Sequence, residues 1–210
     1  MRRRPIRETI HQLHRELQMT IIFVIILAAM VVWAISAFNR LIALKGQTLN
    51  GWKQIDVQLK RRHDLIPNLV NAVRGAMEFE KETLDAVISA RNQAVKIQAD
   101  TLPTGGVQAL ARAEATLTSA LSRLNVVVER YPDLKATANV TQLQEELTST
   151  ENRVAFSRQH YNDTATSYNV LQQQFPWSLL TGFAKAIPVE LWEITNERDR
   201  EVPSVDLSMK

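Results

Sequence analysis

Residues 19–38 read MTIIFVIILAAMVVWAISAF, twenty residues without a charge. At ~1.5 Å per helical residue, such a run crosses a ~30 Å hydrocarbon core. A secretory signal has a shorter apolar region and ends at a small-x-small cleavage site. Here Ala34-Ile35-Ser36-Ala37 offers only a weak site, and the helical pattern runs on through it. A core helix of this length without one charge is unusual. The stretch is therefore read as a single membrane span, and it fixes which end of the following domain faces the bilayer.

The rest of the chain suits one domain and favours helix. Ala, Leu, Gln, Glu, Arg and Lys dominate, glycines number six, and cysteine is absent, which excludes disulfide and thiolate chemistry. The net charge of +3 sits before the span, where Arg2, Arg3, Arg4, Arg7 and Arg15 face Glu8 and Glu16. Beyond it, 20 basic residues balance 20 acidic ones, so the high pI describes a basic arm and no nucleic acid partner is expected. The arm suits anionic headgroups or acts as a plain topology signal. On the far side only Arg40, Lys45 and Lys53 stand nearby. The positive-inside rule then predicts a cytoplasmic N-terminus and a periplasmic or extracytoplasmic domain at a bacterial inner membrane.

Prolines and glycines divide the domain at Pro67, at 102–106 (LPTGG), at 131–133 (YPD) and at Phe175-Pro176. Four helix-length segments lie between, at about 39–65, 67–99, 106–130 and 139–174. Pro67 fits the first position of the second, where its missing N–H costs nothing. Each segment carries an apolar stripe in steps of three and four: for example Leu110, Leu117, Leu121, Leu124 and Val128 in the third, and Val140, Leu147, Val154, Tyr161 and Tyr168 in the fourth. Short connections make successive helices antiparallel neighbours. The expected fold is all-α, with the transmembrane helix continuing into an antiparallel up-down four-helix bundle. The expected divisions are a basic juxtamembrane arm (1–18), the span (19–38), the bundle (39–174), and a membrane-proximal apolar segment with an acidic tail (175–210). The span should continue into the first helix without a break, because no Pro or Gly lies between Ile6 and Leu44.

Several motifs are distinctive: QIDVQLKRRHDLIPNLVNAVRG (54–75), EKETLDAVISARN (80–92), RYPDLKA (130–136), LQEELTSTENRVAFSRQHYND (143–163) and YNVLQQQFP (168–176). In these, and in their order, the chain resembles the LemA family over roughly residues 39–180. The resemblance implies a bacterial, membrane-anchored helical bundle and brings no catalytic residue set. The 18-residue basic arm and the segment IPVELWEITNERDREVPSVDL (187–207) depart from the family pattern.

Chemistry is hard to place. The chain has no Gly-rich phosphate loop and no HExxH, so no enzyme, cofactor or metal site is expected. His11 and His14 share a helical face, but neighbouring arginines oppose a dication. His63 and His160 are expected at opposite ends of the bundle, as turn and surface residues. Lys60, Arg61 and Arg62 form either a docking patch at the distal tip or favourable charges at a helix C-terminus. Glu80, Arg91 and Glu114 fall on apolar lines, as a buried site or as bonds that fix register. The register that sets Val87 against Leu117 puts Arg91 level with Glu114, so a polar pair is expected there. Trp177, Leu179, Leu180, Phe183, Leu191 and Trp192 are assigned to a membrane interface or self-association surface, against the alternative of a cap folded over the bundle's open end. The whole reads as a membrane scaffold and homo-oligomer that organises or remodels the lipid bilayer. The alternative is an adaptor for a membrane-protein partner such as a protease or sensor kinase.

Overall fold

A computed structural model describes residues 4–75, 77, 80–135 and 137–193, with side chains from Leu13 onward except Lys135. The described chain is helical: α1 (Arg4–Arg74), α2 (Lys81–Asp100), α3 (Val107–Val128), the single turn α4 (Pro132–Lys135), α5 (Ala138–Gln173) and a 3₁₀ turn at Trp177–Leu180. The 71 residues of α1 make a rod on the order of 105 Å long. Between Met19 and Ile35 most large apolar side chains are half or more exposed, including Phe23 at 67% and Val32 at 68%. Burial begins at Ala37 and Leu41. Lipid is the solvent that this surface requires.

Above the span, α1 and α5 pair along the full height of the bundle, while the α2–α3 hairpin covers their distal part. At Gly51 the pair approaches closely: a Cβ built there would meet the Cα of Tyr161 at 3.2 Å. Three apolar clusters stack upward from the membrane. The lowest contains Leu41, Tyr168, Leu171 and Ala184. The middle one is built on Trp52, Ile55, Leu59, Leu110, Val154 and Tyr161. The distal one joins Ile66, Val70 and Val73 to Leu84, Val87, Leu117 and Leu124. Every residue of the α3 stripe is buried, as its spacing of three and four requires.

The structure corrects one boundary. The turn expected at 65–67 is absent, and α1 runs through Pro67 to Arg74. Glu80 stands just outside α2, paired with the exposed Arg130 at 3.3 Å, and so leaves the core line. An internal proline removes the N–H that would bond the carbonyl four residues earlier, here that of His63. That carbonyl accepts instead from Arg91 Nε of α2, at 3.1 Å. The helix survives its proline because a neighbouring helix supplies the missing donor.

Arg91→Ala should therefore cost about 1–3 kcal/mol, the range for a carbonyl left unsatisfied. In a Pro67→Ala background the restored amide should remove most of that cost. Chemical denaturation of the four-member cycle checks this; additive losses would mean that the proline and the arginine act independently.

Candidate functional site

Between the middle and distal clusters lies a polar layer. Arg62 and His63 follow Leu59 by one turn on α1, and Glu114 lies between Leu110 and Leu117 on α3. Arg62 Nη1 donates to Glu114 Oε2 at 2.9 Å, and Nη2 donates to Thr118 Oγ1 at 2.9 Å. The same Nη2 pairs with Glu151 Oε2 of α5 at 2.8 Å. His63 Nε2 lies 2.7 Å from Glu114 Oε1. With the carboxylate ionised, the ring nitrogen donates. Arg158, on α5, pairs with Glu151 Oε1 at 3.3 Å and lies 5.3 Å from the centroid of Trp192. Burial pulls the Arg158 guanidinium below its ordinary range, and neighbouring Arg62 adds to this, opposed by Glu151 and Glu114. The layer brings together two arginines and two glutamates, Arg62 and Arg158 with Glu114 and Glu151. Among the described residues no group of three or more His, Cys, Asp or Glu is placed to hold a metal ion.

Three expectations change here. Arg91 does not meet Glu114; its Nε is committed to the His63 carbonyl and its Nη1 to Asn92 at 3.2 Å. The pair that crosses the helices is Arg62 with Glu114. The basic triplet also divides. Lys60 and Arg61 are exposed, whereas Arg62 is 3% exposed. His63, expected at a turn, is 2% exposed, while His160 is exposed as expected.

The second feature is a strap. After the 3₁₀ turn the chain reverses at Lys185 and climbs beside α5. Asn169 donates Nδ2 to the Val189 carbonyl at 2.8 Å and accepts the Val189 N–H at 3.0 Å. Asn162 treats Trp192 identically, at 2.8 Å for both bonds. The geometry closes because seven helical residues rise ~10.5 Å, and three extended residues cover about the same distance. Tyr161 donates to the Glu190 carbonyl at 2.6 Å. The Glu190 carboxylate accepts the Val107 N–H at 2.9 Å, where Gly106 supplies no side chain to cap α3. Gly106 itself holds φ +92°, which favours glycine there.

The strap separates the six C-terminal residues assigned to one surface. Trp192 is buried at 6.5 Å from Trp52, and Leu191 packs on the same cluster. Trp52 lies fourteen residues past Phe38, roughly 20 Å above the end of the span. These two residues cap the bundle and do not meet the bilayer. Trp177 stays low, edge-to-face with Trp33 at 6.2 Å, and Leu180 is half-buried beside it. Leu179 and Phe183 are 65% and 82% exposed at this base. The segment 194–210, with its acidic tail, lies outside the described residues.

These features define a membrane-anchored helical bundle with an internal ionic layer and a C-terminal strap. A family model described as the LemA family matches residues 51–207, and the chain belongs to that family. Magnetosome protein MamQ 2 of Paramagnetospirillum magneticum is 25% identical over 191 residues, covering 79% of this chain and 69% of that protein. Magnetosome protein MamQ of Magnetospirillum gryphiswaldense is 27% identical over 189 residues, with 80% and 70% covered. Protein LemA of Metamycoplasma hominis is 28% identical over 131 residues, covering 62% of this chain and 57% of its own length.

Glu114→Ala strands Arg62 and should cost ~3–5 kcal/mol, the range for breaking a buried pair from one side. The Arg62→Met/Glu114→Leu double variant should lose less than the two single variants together, as read by thermal denaturation. Burial also raises the Tyr161 phenol above its ordinary value, with the Glu190 charge adding to the effect. The neutral phenol's contribution is therefore complete below pH ~10 and is lost as pH rises beyond it, because the unfolded tyrosine ionises first. Between pH 10 and 12, Tm should fall more steeply for the native chain than for Tyr161→Phe; parallel curves would contradict this.

Proposed function

We propose that the protein is a scaffold that self-associates at its membrane-proximal base and organises or remodels the bilayer. The bundle lies outside the cytoplasmic membrane and the basic arm inside, in line with the charge asymmetry about the span. The observation that carries the reading is the base itself. Phe175, Leu179, Phe183 and Ile187 are 78%, 65%, 82% and 60% exposed, next to the point where α1 leaves the lipid. Large apolar side chains concentrated on one short segment fit a surface covered by lipid or by another copy. The ionic layer behind them serves the register of the bundle.

An adaptor role has one observation in its favour. A groove of about 780 Å³ borders α2, α3 and α5 and exposes Arg112 and Arg123 beside a run of alanines. Light scattering of the full-length protein in detergent separates the two readings. Homo-assemblies are expected, and Phe175→Ser/Leu179→Ser/Phe183→Ser should reduce their size with helix content unchanged. A monomer at every concentration would reject the scaffold and favour the adaptor. Protease digestion of the bundle in intact spheroplasts checks orientation; protection until lysis would reverse it.

A further inference from the structure

A cleft of about 240 Å³ opens where the strap leaves the base, between α1 and the α2–α3 loop. Leu49, Leu102, Pro103 and Ile187 line it, and Lys45 and Lys185 flank it. Leu49, Leu102 and Ile187 are 41%, 64% and 60% exposed. Tyr168, 1% exposed, forms part of the wall. A cleft with so few polar partners holds water poorly.

The two lysines supply the polar end. Lys45 lies seven residues past Phe38, ~10 Å along the helix axis. The headgroup layer extends about 5–8 Å beyond the hydrocarbon on each side, and a lysine stem can reach back towards it. Lys185 closes a Schellman turn: the Ala186 N–H bonds the Thr181 carbonyl at 3.0 Å, and the Lys185 N–H bonds Gly182 at 3.3 Å. Glycine is the usual residue at that position. Lys185 adopts φ +46° there, a conformation that L side chains rarely take. The Lys45 ammonium is held nearby by its own bond to the Lys185 carbonyl at 3.3 Å.

We propose that this cleft binds one anionic phospholipid of the adjoining leaflet, with an acyl chain in the apolar cleft and its phosphate between Lys45 and Lys185. The inference rests on the membrane anchor and not on self-association. Native mass spectrometry of the full-length protein, exchanged into phosphatidylglycerol, phosphatidylcholine or oleate, tests it. One phosphatidylglycerol per chain should be retained in preference to phosphatidylcholine. Lys45→Gln and Lys185→Gln should each reduce retention about fivefold, the ratio equivalent to ~1 kcal/mol per basic residue near an anionic surface. Leu49→Asp should abolish retention. Lys185→Gly should lose lipid as Lys185→Gln does, yet leave Tm unchanged or raised, because glycine relieves the turn. Equal retention of the two phospholipids, retention of oleate alone, or indifference to all four variants would overturn the proposal. Light scattering of the same samples reports assembly separately, so loss of the lipid site and loss of the scaffold reading are distinguishable.

Discussion

The His63 carbonyl has no helical donor because Pro67 stands four residues later, and the architecture of the distal bundle turns on how that vacancy is filled. Arg91 reaches it from α2. The imidazole of the same residue bonds Glu114 from α3. One residue of the long helix thus holds both arms of the hairpin, one through its backbone and one through its side chain. Arg62 extends the tie to Glu151 on α5. These contacts are directional, unlike the leucine and valine layers on either side. Apolar layers permit neighbouring registers at small cost, whereas a buried arginine tolerates only the register that supplies its carboxylate.

The strap acts at the other end of the hairpin. It places a backbone carbonyl on Tyr161, a carboxylate on the first N–H of α3, and its own amide nitrogen on the Pro103 carbonyl at 2.8 Å. The α2–α3 hairpin is therefore fastened at mid-height by the ionic layer and at its lower loop by the strap, both anchored on the α1–α5 pair. Trp192 closes the middle cluster against Trp52 and receives Arg158 on its face, which links strap and ionic layer directly.

The span, the helical class and the buried stripes were legible in the sequence, because charge-free length and three-four spacing report directly on solvent. The helix boundary at Pro67 was not. Yet the spacing Trp52, Ile55, Leu59, Arg62, Ile66, Val70, Val73 continues across it without a phase change, and Arg62 falls on that line. Reading Pro67 as a stop hid both the continuity and the burial of Arg62. The exchange of Arg91 for Arg62 as the partner of Glu114 has the same root, since only a proline inside the helix leaves the carbonyl that occupies Arg91. The strap had a signal too: Tyr-Asn occurs at 161–162 and again at 168–169, one heptad apart. A repeated asparagine beside a core tyrosine marks backbone recognition, but what it recognises lies outside any local pattern.

Because α1 passes from lipid to distal turn without a loop, the protein has no joint between its anchor and its body. Transmembrane helices tilt on average about 20° and change that tilt to suit bilayer thickness. From Phe38 to Arg74 the rod projects ~54 Å, so a change of that size would carry the distal turn sideways by roughly 18 Å. A few ångströms of difference in hydrocarbon depth become a lateral sweep wider than one helix. The molecule is a pointer whose pivot is the membrane itself.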